Sequence, residues 1–192
     1  PSAACALFSA EGTVTEITAT GIGAHASTPD VGNNALTGLL VFLGKLDFAS
    51  CPQVDMVRKT ASLFPHGDVN GKTLGVAMED ELSGNLTLSF NMLSVDAASM
   101  DGEFDGRIPV CGNDENVLEV VRARMAEQGL TLLNKALIPP HHVSADSYFV
   151  KTLLAAFELY TGRKGECQAL GGGTYVHHLE NGVAFGAAMP ET

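Results

Sequence analysis

Thr13-Val14-Thr15-Glu16-Ile17-Thr18-Ala19-Thr20 leads into Gly23-Ala24-His25-Ala26-Ser27-Thr28-Pro29 and then into Gly32-Asn33-Asn34-Ala35. The first run alternates with period two, as a half-buried strand does. The second is turn chemistry around a single histidine. The third opens an apolar helix, with Leu36, Leu39, Leu40, Leu43 and Leu46 on one broad face and Asn33 as the expected cap. Strand, turn and helix in one unbroken stretch predict a mixed fold. They also place His25 on a rigid strand end, free to point away from the core.

Upstream, Cys5 to Ser9 is a second β-prone run, and Glu11-Gly12 predicts a hairpin between the two. Downstream, helices are predicted over 32–47 and 53–63, and strands over 74–78, 86–92 and 103–110, with Pro109 ending the last. Asn113 caps a predicted helix that runs to Gln128, with Gly129 beyond it, and Leu130 to Ala136 reads as a short strand. The fold class is therefore α+β: a two-layer sandwich of helices on one face of a mainly antiparallel sheet.

Pro139-Pro140-His141-His142 marks a change of grammar. Asp146 caps a predicted helix ending at Gly162. A strand over 167–170, Gly171-Gly172-Gly173-Thr174, a short helix and a strand over 183–186 follow. That order predicts a truncated α/β piece. The domains are thus expected at 1–140 and 141–192.

Bulk composition narrows the function. Of 192 residues, 45% are hydrophobic and 17% charged, so a large core is expected and disorder is not. Acidic residues number 22 against 11 basic, a net charge of −11, which disfavours nucleic acid and anionic membrane as partners. Cys5, Cys51, Cys111 and Cys167 are widely spaced, form no disulfide or zinc pattern, and read as buried or incidental thiols in a reducing, cytoplasmic setting. Pro1-Ser2-Ala3-Ala4 has no initiator Met and no signal pattern, so the chain reads as starting within a longer polypeptide.

Three groups carry candidate chemistry, each with a plainer alternative. His25 is either a turn histidine bonded to local backbone or a donor to a developing oxyanion. Arg107, on a strand with few charges, is either in a surface ion pair or a carboxylate clamp. Gly171 to Thr174 is either a close-packing turn or an anion site built from backbone N–H groups before a helix. His66, His141, His142, His177 and His178 show no metal-binding spacing. The glycine turn lacks the lysine of a nucleotide-phosphate loop.

The stretches GIGAHASTPDVGNNA (21–35), GRIP (106–109), PPHHV (139–143) and LGGGTYVHHLENGVAFGAAMPET (170–192) together resemble the PepV-type bacterial dipeptidases of the zinc aminoacylase/carboxypeptidase G superfamily. The resemblance runs in order along nearly the whole chain. It implies a metallo-dipeptidase with a two-zinc catalytic domain interrupted by a lid, and a glutamate as general base. It implies that His25 is the lid histidine that stabilises the oxyanion. Arg107 and Gly171, Gly172, Gly173 and Thr174 would hold the substrate's C-terminal carboxylate.

The resemblance also implies that this chain is a fragment: the second half of the lid and part of the C-terminal catalytic segment, with no zinc ligand of its own. Its expected partners are a dipeptide or an N-acyl amino acid, the remaining catalytic segment, and a second copy in a homodimer. The alternatives are a non-catalytic lid or dimerisation module and a deacylase of the same superfamily.

Overall fold

The computed structural model describes residues 6–11 and 14–186. It opens with strands β1 (Ala6–Glu11) and β2 (Val14–Ala19), an antiparallel hairpin in which Ala6 opposes Ala19 and Glu11 opposes Val14. Gly12 and Thr13, the predicted strand position Cys5 and the terminal stretch 187–192 lie outside the described residues.

Helix α1 (Ala35–Gly44) is shorter than the predicted 32–47, and its cap lies one residue later than expected. Asn34, not Asn33, is the N-cap, and its side chain accepts from the Thr37 N–H at 3.1 Å. Asn33 is occupied instead by a β-bridge to Ile22. The Asn34 amide also donates to the Phe90 carbonyl at 2.8 Å, tying the helix start to the sheet. Helix α2 (Pro52–Leu63) starts with proline, whose missing N–H costs nothing at a helix start.

Two short strands, β3 (Glu79–Asp80) and β4 (Gly84–Asn85), form a small hairpin. The main sheet is β5 (Thr87–Val95) antiparallel to β6 (Met100–Arg107). Its register shifts between Phe90 and Met92, so Asn91 is the extra residue of a bulge. Leu88 and Phe90 are buried on one face, and Phe104, opposite Phe90, joins them. By the two-residue period, Thr87, Ser89, Asp105 and Arg107 share the other face.

Helix α3 (Glu119–Glu127) is preceded by a π-helical turn, Asp114–Leu118. Asn113 caps that turn, bonding to Glu115 and Asn116, and the Asn116 side chain returns the bond in a capping box. Gly129 takes the left-handed conformation that ends the helix. Leu40 of α1, Leu63 at the end of α2, Leu88 and Phe90 of β5, and Val121 of α3 meet in one core. Phe64 stacks on Phe90 with ring centroids 4.5 Å apart and touches Phe104 at 5.3 Å.

Two of the strands predicted within residues 1–140 do not form among the described residues. Residues 74–78 follow a chain of turns in which Gly71 and Gly75 have positive φ, and Leu74 and Val76 are buried as loop anchors. Residues 130–136 have no strand partner among the described residues. The fold is mixed helix and strand with small antiparallel sheets, which fits the α+β class.

Beyond Pro140, helix α4 (Tyr148–Thr161) is capped by Ser147, whose hydroxyl accepts from the Val150 N–H, and ends at left-handed Gly162. Asp146, the predicted cap, pairs with Lys151 instead. The strands predicted over 167–170 and 183–186 do not form. A strand needs a neighbour to satisfy its backbone, and no described segment pairs with either. The predicted helix between them is a single 3-10 turn, Tyr175–His178. No described helix is long and apolar enough to cross a membrane. Cys51, Cys111 and Cys167 are free thiols, and the last two are exposed rather than buried.

Candidate functional site

The histidine sits in a closed loop. Ile22 and Asn33 exchange two backbone hydrogen bonds, at 2.9 and 2.8 Å, and so pin the ends of the segment between them. The closure requires glycine at its margins. A Cβ on Gly21 would lie 2.2 Å from the Asn33 oxygen, and one on Gly32 would lie 2.7 Å from the Ala24 Cβ. Within the loop, the Thr28 N–H donates to the His25 carbonyl at 2.9 Å. The His25 ring is exposed, and its Nδ1 lies 2.8 Å from Ser27 Oγ and 3.2 Å from the Ser27 N–H.

The loop is fastened to the sheet by Thr87, whose hydroxyl donates to the Ala26 carbonyl at 2.8 Å. Thr87 is the first residue of β5 and pairs directly with Arg107, the last residue of β6. The His25 loop and Arg107 are therefore mounted at the same end of the same sheet, on the face turned from the core.

Arg107 is half-buried and held by Asp105, two residues back on its strand. Nη2 donates to Asp105 Oδ2 at 2.9 Å, and Nε lies 2.7 Å from Oδ1. Nε and Oδ1 are both shielded from water and meet off the hydrogen-bond axis, so that second contact is ionic. The ion-pair alternative for Arg107 is thus realised. The pair uses one edge of the guanidinium, and Nη1 lies toward the glycine turn, 3.8 Å from where a Gly172 Cβ would stand.

Gly171 closes the arrangement. A Cβ there would come within 2.6 Å of the Ser27 Cβ, so the turn is packed directly on the His25 loop. Gly172 and Gly173 have no such crowding: a Cβ at 172 would meet only Arg107 Nη1, at 3.8 Å, and one at 173 would meet nothing within 4 Å. The helix expected after the turn is only four residues long, too short for its dipole to favour an anion appreciably. Any anion preference here comes from Arg107 and from the backbone N–H groups of the turn. The His25 loop, Arg107 and the Gly171–Gly172 part of the glycine turn, predicted from distant parts of the chain, therefore lie side by side.

The remaining histidines form no comparable site. His141 Nε2 donates to the Gly182 carbonyl at 2.7 Å and His177 Nε2 to the Pro139 carbonyl at 3.0 Å, so both act as cross-braces of the C-terminal segment. His66 Nδ1 bonds the buried Thr37 hydroxyl at 2.8 Å. Among the described residues, no group of three or more His, Cys, Asp or Glu side chains is placed to hold a metal ion.

No family model matches the chain. It is 34% identical to the Beta-Ala-Xaa dipeptidase of Lactobacillus delbrueckii subsp. lactis, over 92% of its own length and 37% of that protein's. It is similar to dipeptidases. A Bacillus subtilis strain 168 protein named "Putative dipeptidase YtjP" is 37% identical over 88% of the chain, and a Staphylococcus epidermidis protein, "Putative dipeptidase", is 29% identical over 92%. The chain spans little more than a third of the length of each of these relatives.

Sequence reasoning missed Ser27, Thr87 and Asp105. Asp105 had a signal, since residues two apart on a strand share a face. Ser27 stood inside the quoted motif. Thr87 had none, because its role depends on a contact 61 positions away.

Proposed function

We propose that this chain is part of a zinc-dependent dipeptidase that hydrolyses short peptides with a free C-terminal carboxylate. Residues 1–140 are the second half of its lid and 141–192 the start of its C-terminal catalytic segment. The observation that carries the reading is the packing of the glycine turn onto both Ser27 and Arg107. It brings together the His25 loop, a guanidinium and glycine backbone, groups that a peptide's scissile carbonyl and terminal carboxylate would use.

In this reading Arg107 binds the carboxylate through its Nη1 side while Asp105 keeps the guanidinium oriented. The glycine turn lines the carboxylate site and admits it close to the backbone. His25 donates to the carbonyl oxygen as negative charge develops there, which stabilises the transition state more than the bound substrate. In this reading, as the resemblance implies, the two zinc ions would be held by residues outside this chain.

The C-terminal segment supports that assembly. Tyr148, Leu159 and Tyr160 on α4 are each more than three-quarters exposed, as is Tyr175 beside the glycine turn. Apolar surface of this kind is what a larger enzyme, of the relatives' length, would cover.

The test is hydrolysis. The complete zinc-loaded protein is expected to release free amino acids from dipeptides, and this chain alone is expected to release none. Turnover by the chain alone would contradict the assignment of half the active site to other segments.

A further inference from the structure

We infer that Ser27 is a positioning residue that fixes the tautomer and direction of the His25 ring, and that Gly171 in turn fixes Ser27. The inference rests on the oxyanion role proposed for His25 and deepens it.

The Ser27 backbone N–H approaches His25 Nδ1 at 3.2 Å, and the Ser27 hydroxyl approaches the same atom at 2.8 Å. An amide N–H can only donate, so Nδ1 must present its lone pair. The hydroxyl, sharing that acceptor, donates as well. A neutral imidazole with Nδ1 unprotonated carries its one proton on Nε2. The ring therefore offers an Nε2–H donor on the side away from its own loop backbone. This is the form that suits a donor aimed at a developing oxyanion. The other tautomer would set two N–H groups against each other at Ser27 and turn a lone pair toward the oxyanion.

Ser27 is itself held from the far side. A Cβ at position 171 would stand 2.6 Å from the Ser27 Cβ, 3.5 Å from its Oγ and 3.6 Å from its Cα. None of these belongs to a long flexible side chain that could swing aside, so Ser27 would have to move. At Gly173 the same addition meets nothing within 4 Å. The glycine turn and the histidine loop are thus coupled through one small residue, and the coupling needs hydrogen at position 171.

The experiment reads the ring nitrogens of His25 by 15N NMR on the full 192-residue chain, assigned with His25→Gln. The wild-type chain is expected to show a single tautomer, with Nδ1 at the shift of an unprotonated nitrogen and Nε2 at that of a protonated one. Ser27→Ala keeps the amide donor but removes the hydroxyl, and the Nδ1 signal is expected to move. Gly171→Ala is expected to average the two ring signals toward a tautomer mixture, while Gly173→Ala leaves them at wild-type positions. A proton on Nδ1 in the wild type would overturn the inference. So would wild-type His25 signals in Ser27→Ala or in Gly171→Ala. The readout involves no hydrolysis, so its failure is distinct from failure of the dipeptidase reading.

Discussion

Thr87 and Arg107 face each other directly across β5 and β6, and the Thr87 hydroxyl holds the carbonyl of Ala26, next to His25. One strand pair therefore sets the spacing between the candidate oxyanion donor and the candidate carboxylate clamp. Replacing Thr87 by valine keeps the β-branched shape and removes that hydroxyl. The expected cost is about 0.5–1.5 kcal/mol of stability, the usual net value of one hydrogen bond. Faster amide exchange at Thr28, whose N–H bonds the His25 carbonyl, should accompany it. Unchanged exchange at Thr28 would show that the loop is held by other means.

On the proposed function, Arg107→Ala in the complete protein should raise KM for dipeptides with a free carboxylate and leave kcat much less affected. Asp105→Ala should move KM in the same direction by a smaller factor, since the guanidinium remains but loses its two-point hold. Lysine at 107 should rescue little, because a point charge does not reproduce the planar fork. The decisive comparison is a substrate with an amidated C-terminus. An equal loss on that substrate would remove Arg107 from carboxylate binding.

The parts of this arrangement differ in how far the sequence discloses them. The β1–β2 hairpin follows from alternation and turn residues, and α1 and α4 from their apolar faces, because these signals are local. Cap positions slipped by one residue at Asn34, where the Asn33 backbone is bridged to Ile22, and at Ser147, where the Asp146 side chain pairs with Lys151. The strands expected over 74–78, 130–136, 167–170 and 183–186 failed for a common reason. A β-prone run becomes a strand only when another strand lies beside it, and pairing is not a local property. His25, Arg107 and the glycine turn were visible as residue types. Their adjacency, and the parts played by Ser27, Thr87 and Asp105, depend on contacts between residues far apart in the chain.

Asp80 gives a pH dependence of stability. Its carboxylate accepts from the Ser83 N–H first of all, and also from the Ser83 hydroxyl and the N–H groups of Cys111 and Leu82, which lowers its pKa from 3.8 to about 2. A depressed folded-state pKa means the stabilisation is fully present above 3.8 and is lost as pH falls toward 2. Asp80→Asn should flatten that acid limb of the stability curve. Identical acid limbs in the two proteins would show that the β3–β4 hairpin and the turn at Cys111 are not joined through this charge.

Phe64 is the core residue whose loss should be felt most widely, since it touches both strands of the main sheet through Phe90 and Phe104. Phe64→Ala is expected to cost about 3–5 kcal/mol by chemical denaturation. That is a large part of the total stability of an ordinary domain. A loss under about 1 kcal/mol would mean that the site refills and that the sheet does not depend on this stack.

The proposed function stands most directly on His25. The measurement is kcat and KM for His25→Ala in the complete zinc-loaded protein, on a dipeptide with a free carboxylate. A donor used in the transition state should cost about 10²–10³ in kcat when removed, with KM little changed. A kcat equal to that of the unmodified protein would take His25 out of the chemistry and leave it as a loop residue beside a carboxylate site.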